Sequence, residues 1–141
     1  MKTELQTELF RRYPKMFRKP EEGRLQKEHT PFDERGIECG DGWFALIDRL
    51  STACESEIDA LISQGVTEVN WPRAAQIKEK MGGLRFYVNG SITDALRALI
   101  LTAEEEESRH ICECCGAPGK LREGRWRHTY CDQHAEQSVT R

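Results

Sequence analysis

Two short Cys and His pairs near the C-terminus constrain the fold of this chain more than any other feature of its sequence. Two residues separate Cys112 from Cys115, and after fifteen intervening residues Cys131 and His134 show the same separation. Two ligands spaced in this way can hold one ion from a tight turn, and a second pair completes the tetrahedron that zinc prefers. Three thiolates and one imidazole leave no coordination position open for water, so we predict one structural zinc ion.

Three further residues near the pairs are alternative ligands. Cys114 could replace Cys112 or Cys115 only by breaking the two-residue separation of the pair. His110 or His128 could replace His134 only in a less regular site. We therefore interpret all three as bystanders. The N-terminal residues lack the apolar run of a signal peptide, so we expect a cytoplasmic protein. In that reducing compartment, clustered cysteines are better explained as metal ligands than as disulfides.

The stretch 120–130 between the two pairs is predicted to form a hairpin, with Cys131 and His134 on the first turn of a closing helix. The order of knuckle, hairpin and helix resembles a treble clef, whereas a zinc ribbon would place its second pair on another turn. We favour the treble clef. Because residues 111–141 contain few apolar side chains, metal binding should supply their folding free energy, and loss of zinc should unfold them.

The best helix in the sequence lies in the middle of the chain. Asp41 can cap it, and Gly65 can end it. Its apolar residues recur every three or four positions, as in a helix with one buried face. These positions are Trp43, Ile47, Leu50, Cys54, Ile58 and Leu61.

The rest of the middle segment predicts a hairpin and a second helix. Apolar and polar residues alternate on both sides of Gly82-Gly83, which can form a tight turn. Thr67–Trp71 predicts a short strand that Pro72 closes. Ser91 and Asp94 resemble a capping box before the second helix, which extends towards His110. The hairpin segments are Ile77–Met81 and Leu84–Val88, and the apolar positions of the second helix are Ile92, Leu96, Leu99, Ile100 and Ala103.

Residues 1–36 are predicted to form an N-terminal helix and a basic arm. Leu5, Leu9 and Phe10 lie at helical spacing, and Pro14 is a stop signal. From Tyr13 the chain is polar and interrupted by Pro20, Gly23, Pro31 and Gly36, which is typical of a loop, and a charge run of this kind is usually solvated surface. Its basic residues are Arg11, Arg12, Lys15, Arg18, Lys19, Arg24 and Lys27.

These elements predict an α+β fold with three parts. Two main helices pack on a β-hairpin in a core of residues 37–110, the N-terminal helix and basic arm precede it, and a treble-clef-like zinc module of residues 111–141 follows it. No apolar stretch is long enough to span a bilayer, so we expect no membrane association. The sequence does not indicate an oligomeric state.

Few residues suggest catalysis, and we predict no catalytic residue. A zinc deaminase needs His-x-Glu followed by Pro-Cys-x-x-Cys, and neither half is present. Cys39 precedes a predicted helix, where its thiol could be activated, but no histidine lies close in sequence to act as its base. The turn Cys39–Trp43 could receive a phosphate, although it lacks the lysine of a phosphate loop.

Nucleic-acid binding is an alternative that depends on basic residues in the predicted zinc module. Basic side chains around one aromatic ring could contact phosphates and stack a base. The net charge of −3 and the pI near 5.9 argue against general attraction to a polyanion. The candidate contacts, for nucleic acid or another partner, are Lys120, Arg122, Arg125, Trp126 and Arg127.

Three motifs together resemble a set of small bacteriophage-encoded zinc-knuckle proteins of unknown function. They are the turn Cys39–Trp43, the run Lys78–Tyr87 and the knuckle with its Cys131 to His134 partner, and the resemblance covers residues 37–135. It implies no activity that can be transferred. It does imply a small phage protein in the host cytoplasm that binds a host protein or complex, with inhibition of a host defence system as the most specific version.

Overall fold

The computed structural model describes residues 1–19 and 29–139 of the chain. In these ranges the fold is α+β, with sheets of three and two strands. The α-helices are α1 (Thr3–Arg12), α2 (Pro31–Arg35), α3 (Phe44–Ser63), α4 (Asp94–Glu105) and α5 (Asp132–Val139), and short 3₁₀ turns cover Asp41–Trp43, Glu68–Asn70 and Glu107–His110. The strands are β1 (Ile37–Glu38), β2 (Arg73–Lys80), β3 (Gly83–Asn89), β4 (Lys120–Arg122) and β5 (His128–Tyr130).

The larger sheet has the strand order β1-β2-β3, and the predicted hairpin is its β2–β3 pair. Lys80 pairs with Gly83, so the two turn residues are Met81 and Gly82 rather than Gly82-Gly83. Their φ angles are 53° and 85°, and a two-residue hairpin turn that matches the strand twist needs positive φ at both positions. β1 pairs with β2 in parallel, and Ile37 lies opposite Ile77. The sequence did not predict this strand.

Helices α3 and α4 lie against the hairpin and bury most of the residues that the sequence placed on their apolar faces, although Leu99 is 39% exposed. In α3 these include Ile47 and Ile58, and in α4 they include Ile100, all at most 7% exposed. They meet the inward residues of the hairpin, Ile77 and Phe86, in one core. Alternation along the strands and three-to-four spacing along the helices thus converge on the same core.

Part of the segment interpreted as a loop also belongs to this core. Met16 and Phe17 are buried, and the rings of Phe10, Phe17 and Phe32 pack together with centroids 5.1 to 5.6 Å apart. Arg18 donates hydrogen bonds to backbone carbonyls before β2, among them that of Pro72 at 3.0 Å. Residues 13–18 are therefore docked against the core. Pro20, Gly23, Arg24 and Lys27 of the predicted basic arm lie outside the described residues.

Two predicted caps differ from the structure. Asp41 does not cap α3. Its Oδ1 atom accepts a hydrogen bond from the backbone N–H of Lys2 at 2.8 Å, while the 3₁₀ turn Asp41–Trp43 leads into the helix. Helix α4 is capped by Thr93, whose hydroxyl accepts from the N–H of Leu96, and not by Ser91. Several hydroxyl and carboxyl residues lie near each helix start, and sequence spacing alone did not choose the correct one.

The strand predicted at Thr67–Trp71 is a 3₁₀ turn in the structure. The N–H of Asn70 donates to the carbonyl of Thr67 at 2.9 Å, and that of Trp71 donates to Glu68 at 3.0 Å. These local bonds satisfy the backbone without a partner strand.

A buried ion pair joins α2 to the sheet. Arg73 on β2 donates from both Nη atoms to the carboxylate of Asp33 at 3.0 Å, and the two side chains are 7% and 5% exposed. Asp33 also forms a capping box with Thr30. Burial opposes ionisation of Asp33, but hydrogen bonds from Arg73 and Thr30 outweigh burial and lower its pKa.

We expect Asp33→Ala to lower the free energy of unfolding by about 3–5 kcal/mol, because it removes the carboxylate that neutralises a buried guanidinium. Urea unfolding followed by circular dichroism measures the change. Glu34→Ala is the matched control, since Glu34 is on the same helix with its side chain 55% exposed, and we expect a change within about 0.5 kcal/mol. Equal losses of unfolding free energy in both variants would contradict a stabilising role for the buried ion pair of Asp33 and Arg73.

Candidate metal centre

The first Cys pair lies on a tight knuckle that begins after the 3₁₀ turn Glu107–His110. The N–H of Gly116 donates to the carbonyl of Cys112 at 2.9 Å, and the N–H of Cys112 donates to Ala117 at 2.8 Å. Gly116 has a φ of 79°, in the left-handed region that glycine adopts without strain. The chain therefore folds back beneath Cys112 and Cys115, which places both thiols on one side of the turn.

The second pair lies where the small hairpin passes into α5. Cys131 directly follows β5, and His134 is in the first turn of the helix. The N–H of Ala135 donates a hydrogen bond to the carbonyl of Cys131 at 3.0 Å. The order of knuckle, β4–β5 hairpin and α5 confirms the treble-clef-like arrangement predicted from the spacing.

The two pairs converge on one point. Sγ of Cys115 lies 3.8 Å from Sγ of Cys131, and Nδ1 of His134 lies 3.2 Å from Sγ of Cys131 and 3.5 Å from Sγ of Cys112. The four ligand atoms all lie within 4.8 Å of one another. This Cys₃His cluster could hold a metal ion. His110, Cys114 and His128 are not members of it, which agrees with their interpretation as bystanders.

The surroundings of Cys112 favour a thiolate. Burial opposes its ionisation, but hydrogen bonds from the backbone around Cys131, Cys115 and Cys114 outweigh burial and lower the pKa of the Cys112 thiol to about 6. Metals bind the thiolate rather than the thiol, so these backbone donors favour the form of Cys112 that binds an ion.

The knuckle docks on the turn Cys39–Trp43, seventy residues earlier in the chain. The N–H of Gly42 donates to the carbonyl of Glu113 at 2.7 Å, and that of Gly40 donates to the Glu113 carboxylate at 3.0 Å. The indole N–H of Trp43, which is fully buried, donates to the carbonyl of Ile111 at 2.9 Å. The turn that the sequence offered as a ligand site is thus filled by the protein's own metal knuckle.

The glycines of this turn are required by the close approach. A Cβ atom on Gly42 would lie 2.0 Å from the carbonyl oxygen of Cys112, and one on Gly40 would lie 2.3 Å from that of Glu113. Real Cβ atoms do not approach backbone atoms so closely. Sequence analysis missed Glu113 and this role of the glycines, because nothing local indicates contact between segments so distant in sequence.

Cys39 is inaccessible in this arrangement. Its side chain is 6% exposed, and burial, with the nearby carboxylate of Glu113, raises the pKa of its thiol to about 12. A thiol with such a pKa stays protonated near neutral pH, whereas a nucleophilic cysteine needs a lowered pKa.

The small hairpin links the metal cluster to the larger sheet. The N–H of Glu113 donates to the carbonyl of Thr129 at 2.9 Å, and the buried hydroxyl of Thr129 donates to the carbonyl of Gly82 at 2.6 Å. The knuckle, the β4–β5 hairpin and the β2–β3 turn therefore form one continuous set of contacts.

The five predicted contact residues all lie on or beside this small hairpin, but they differ in their exposure and in their hydrogen bonds and ion pairs. Arg122 donates hydrogen bonds to the carbonyl of Tyr130 at 3.0 Å and to the carboxylate of Asp132 at 2.8 Å. Arg127 pairs with Glu123 at 3.3 Å. Lys120, Arg125 and Trp126 are exposed, and the Trp126 ring is 74% exposed at the tip.

Comparisons with protein-family models, with curated proteins and with solved structures found no match for this chain. In the described part of the chain, no helix combines the length and the apolar character that crossing a membrane requires.

Proposed function

We propose that the Cys₃His cluster binds one structural Zn²⁺ ion and that the chain is a non-enzymatic binding protein. The geometry of the cluster carries this proposal. For tetrahedral zinc with Zn–S bonds of about 2.3 Å and Zn–N bonds of about 2.0 Å, two sulfurs lie about 3.8 Å apart and a sulfur and a nitrogen about 3.5 Å apart. The Cys115–Cys131 and Cys112–His134 distances of 3.8 and 3.5 Å match these values, while the Cys131–His134 distance of 3.2 Å is shorter.

Four protein ligands support a structural role for the ion, because a catalytic zinc keeps one position for water or substrate. The buried, protonated Cys39 and its occupied turn support a binding protein over an enzyme or nucleotide binder that uses the Cys39–Trp43 turn. Such an enzyme predicts rapid alkylation of Cys39 near neutral pH, and we expect slow alkylation instead.

We propose a host protein or complex as the target, with inhibition of a host defence system as the most specific version. The support is the resemblance to small bacteriophage proteins described from the sequence, together with the burial of Cys39 and the occupation of the Cys39–Trp43 turn by the knuckle. Host cytoplasm is the corresponding location.

The test is partner capture with one variant that lacks a metal ligand and one that keeps all four. We expect the affinity-tagged chain, produced in bacterial cells, to elute in a stoichiometric complex of greater mass than the chain alone. Cys115→Ser removes a ligand and should abolish the complex, whereas Cys114→Ser alters an exposed thiol of the same knuckle outside the cluster and should preserve it. Elution of the wild-type chain at its own mass would contradict a host protein target.

A further inference from the structure

The outward face of the β2–β3 hairpin is basic, although the chain as a whole is acidic. Ile77 on β2 lies opposite Phe86 on β3, and both are buried. Successive side chains of a strand point to opposite faces, so the next pair, Lys78 opposite Arg85, points away from the core.

Two more residues share this outward face by the same alternation. Lys80 lies two residues beyond Lys78 and is exposed, and Tyr87 lies two residues beyond Arg85 with 45% of its surface exposed. We call Lys78, Lys80, Arg85 and Tyr87, with Arg109, the basic sheet face. The alternation of the run Lys78–Tyr87 carried this signal in the sequence, but only the register shows which side is open.

Arg109 joins the face at Gly83. Because Gly83 is two residues from Arg85, a Cβ atom there would point outward, and it would lie 3.4 Å from Nη1 of Arg85 and 3.5 Å from Nε of Arg109. Two guanidinium groups therefore converge. Glu105 reaches Nη2 of Arg109 at 3.5 Å, but Nε is buried and has no hydrogen-bond partner among the described residues. Because Nε is buried, Arg109 adds positive potential beside Arg85 rather than an exposed donor.

Several cations elsewhere on the surface are paired with a carboxylate. Arg12, Lys15 and Arg49 each pair with a carboxylate at 2.6 to 3.0 Å. Within the described ranges, no ion pair joins Lys78 or Lys80 to a carboxylate.

The carboxylate of Glu104 lies near Arg85 and interacts with its charge. This carboxylate is committed to the backbone N–H of Phe86, from which it accepts at 2.7 Å. The guanidinium of Arg85 itself donates to the carbonyl of Leu84 at 2.9 Å. Among the described residues, Lys78, Lys80 and Arg85 therefore have no ion-pair partner, and the carboxylate of Glu38, which lies opposite Lys78 on β1, pairs with Arg35 at 3.1 Å.

We propose that the basic sheet face binds single-stranded nucleic acid. Cations two residues apart on a strand lie about 7 Å apart and can follow a sugar-phosphate backbone, and the exposed ring of Tyr87 offers a platform on which a base can stack. A duplex hides its bases from such a ring, and an acidic peptide would use the charges but not the ring. This inference does not depend on the host protein target proposed above.

The β4–β5 loop adjoins the basic sheet face. A Cβ atom on Gly82 would lie 3.5 Å from the backbone carbons of Arg127 and His128, so the loop with Arg125 and Trp126 lies beside the hairpin tip. The β4–β5 hairpin, which carries the contact residues predicted in the zinc module, therefore packs against the tip of the β2–β3 hairpin.

Fluorescence anisotropy with labelled oligo-U and oligo-dT of about 20 nucleotides tests the proposal, with a duplex of equal length for comparison. We expect binding to both single strands, and a slope of log K against log salt near −2, at about −0.7 for each of three phosphate contacts. The triple variant Lys78→Ala, Lys80→Ala and Arg85→Ala should bind at least about 10-fold more weakly, with a slope near zero. Tyr87→Ala should lower the affinity about 5- to 100-fold without changing the salt dependence, and Tyr87→Phe should keep the wild-type affinity.

The matched control removes three cations elsewhere. Lys2→Ala, Lys15→Ala and Arg49→Ala change the net charge equally at exposed, ion-paired positions, and we expect wild-type binding. Circular dichroism checks that each variant is folded. The ratio of oligo-U to oligo-dT affinity separates RNA from DNA as the ligand. No binding by wild type, equal losses in both triple variants, tighter binding of the duplex, or binding of poly-glutamate alone would each overturn the proposal.

Discussion

Removing the metal is expected to unfold the C-terminal module and to loosen the core on which it docks. Purified wild-type protein should contain one equivalent of zinc, and Cys115→Ser and His134→Ala should lose both the metal and the module. Structural zinc contributes an apparent free energy of about 10–16 kcal/mol in small modules, which is comparable with the whole stability of about 5–15 kcal/mol of a typical domain. Elemental analysis and hydrogen exchange measure the two losses.

Hydrogen exchange also shows how far unfolding spreads. The knuckle accepts hydrogen bonds from the N–H of Gly42 and from the buried indole of Trp43. These two residues directly precede α3. We therefore expect protection to fall at the start of α3 as well as in the module, while the β2–β3 pair stays protected. Cys114→Ser is the control, and it should keep one equivalent of zinc and native exchange. Full folding of the wild type without metal, or loss of metal in the control, would refute the assigned ligand set.

The metal cluster could be predicted from the sequence because its information is local. Each ligand pair spans four residues, and the geometry of a knuckle or of a first helical turn determines where both side chains point. The two helices and the hairpin were predictable for the same reason, since the spacing of apolar residues reports burial within each element.

The contacts between distant segments could not be predicted in this way. Gly40 and Gly42 resemble an open helix-entry turn until the knuckle is placed against them. Met16 and Phe17 are two apolar residues inside a charged segment, and only their packing with Phe32 assigns them to the core. Strand β1 is two residues long, too short for any periodicity, and exists because β2 offers it an edge.

Gly42→Ala is expected to lower the free energy of unfolding by about 3 kcal/mol or more, with a fall in Tm of about 10 °C, although it changes no metal ligand. The added methyl group would lie 2.0 Å from the carbonyl oxygen of Cys112 and 2.5 Å from the nitrogen of Gly116. It must therefore push the knuckle away and break the bond from Gly42 to Glu113. Thermal unfolding in the presence of excess zinc measures the loss.

Gly83→Ala distinguishes this clash from a general effect of replacing glycine. The nearest atom to its added Cβ is 3.4 Å away, an ordinary contact with a flexible side chain, so we expect a Tm within a few degrees of wild type. If the module were held by the metal alone, Gly42→Ala would match this control, because its zinc ligands are intact. A large loss of stability with one equivalent of zinc still bound would instead show that the ion folds the module and that the Cys39–Trp43 turn joins it to the core.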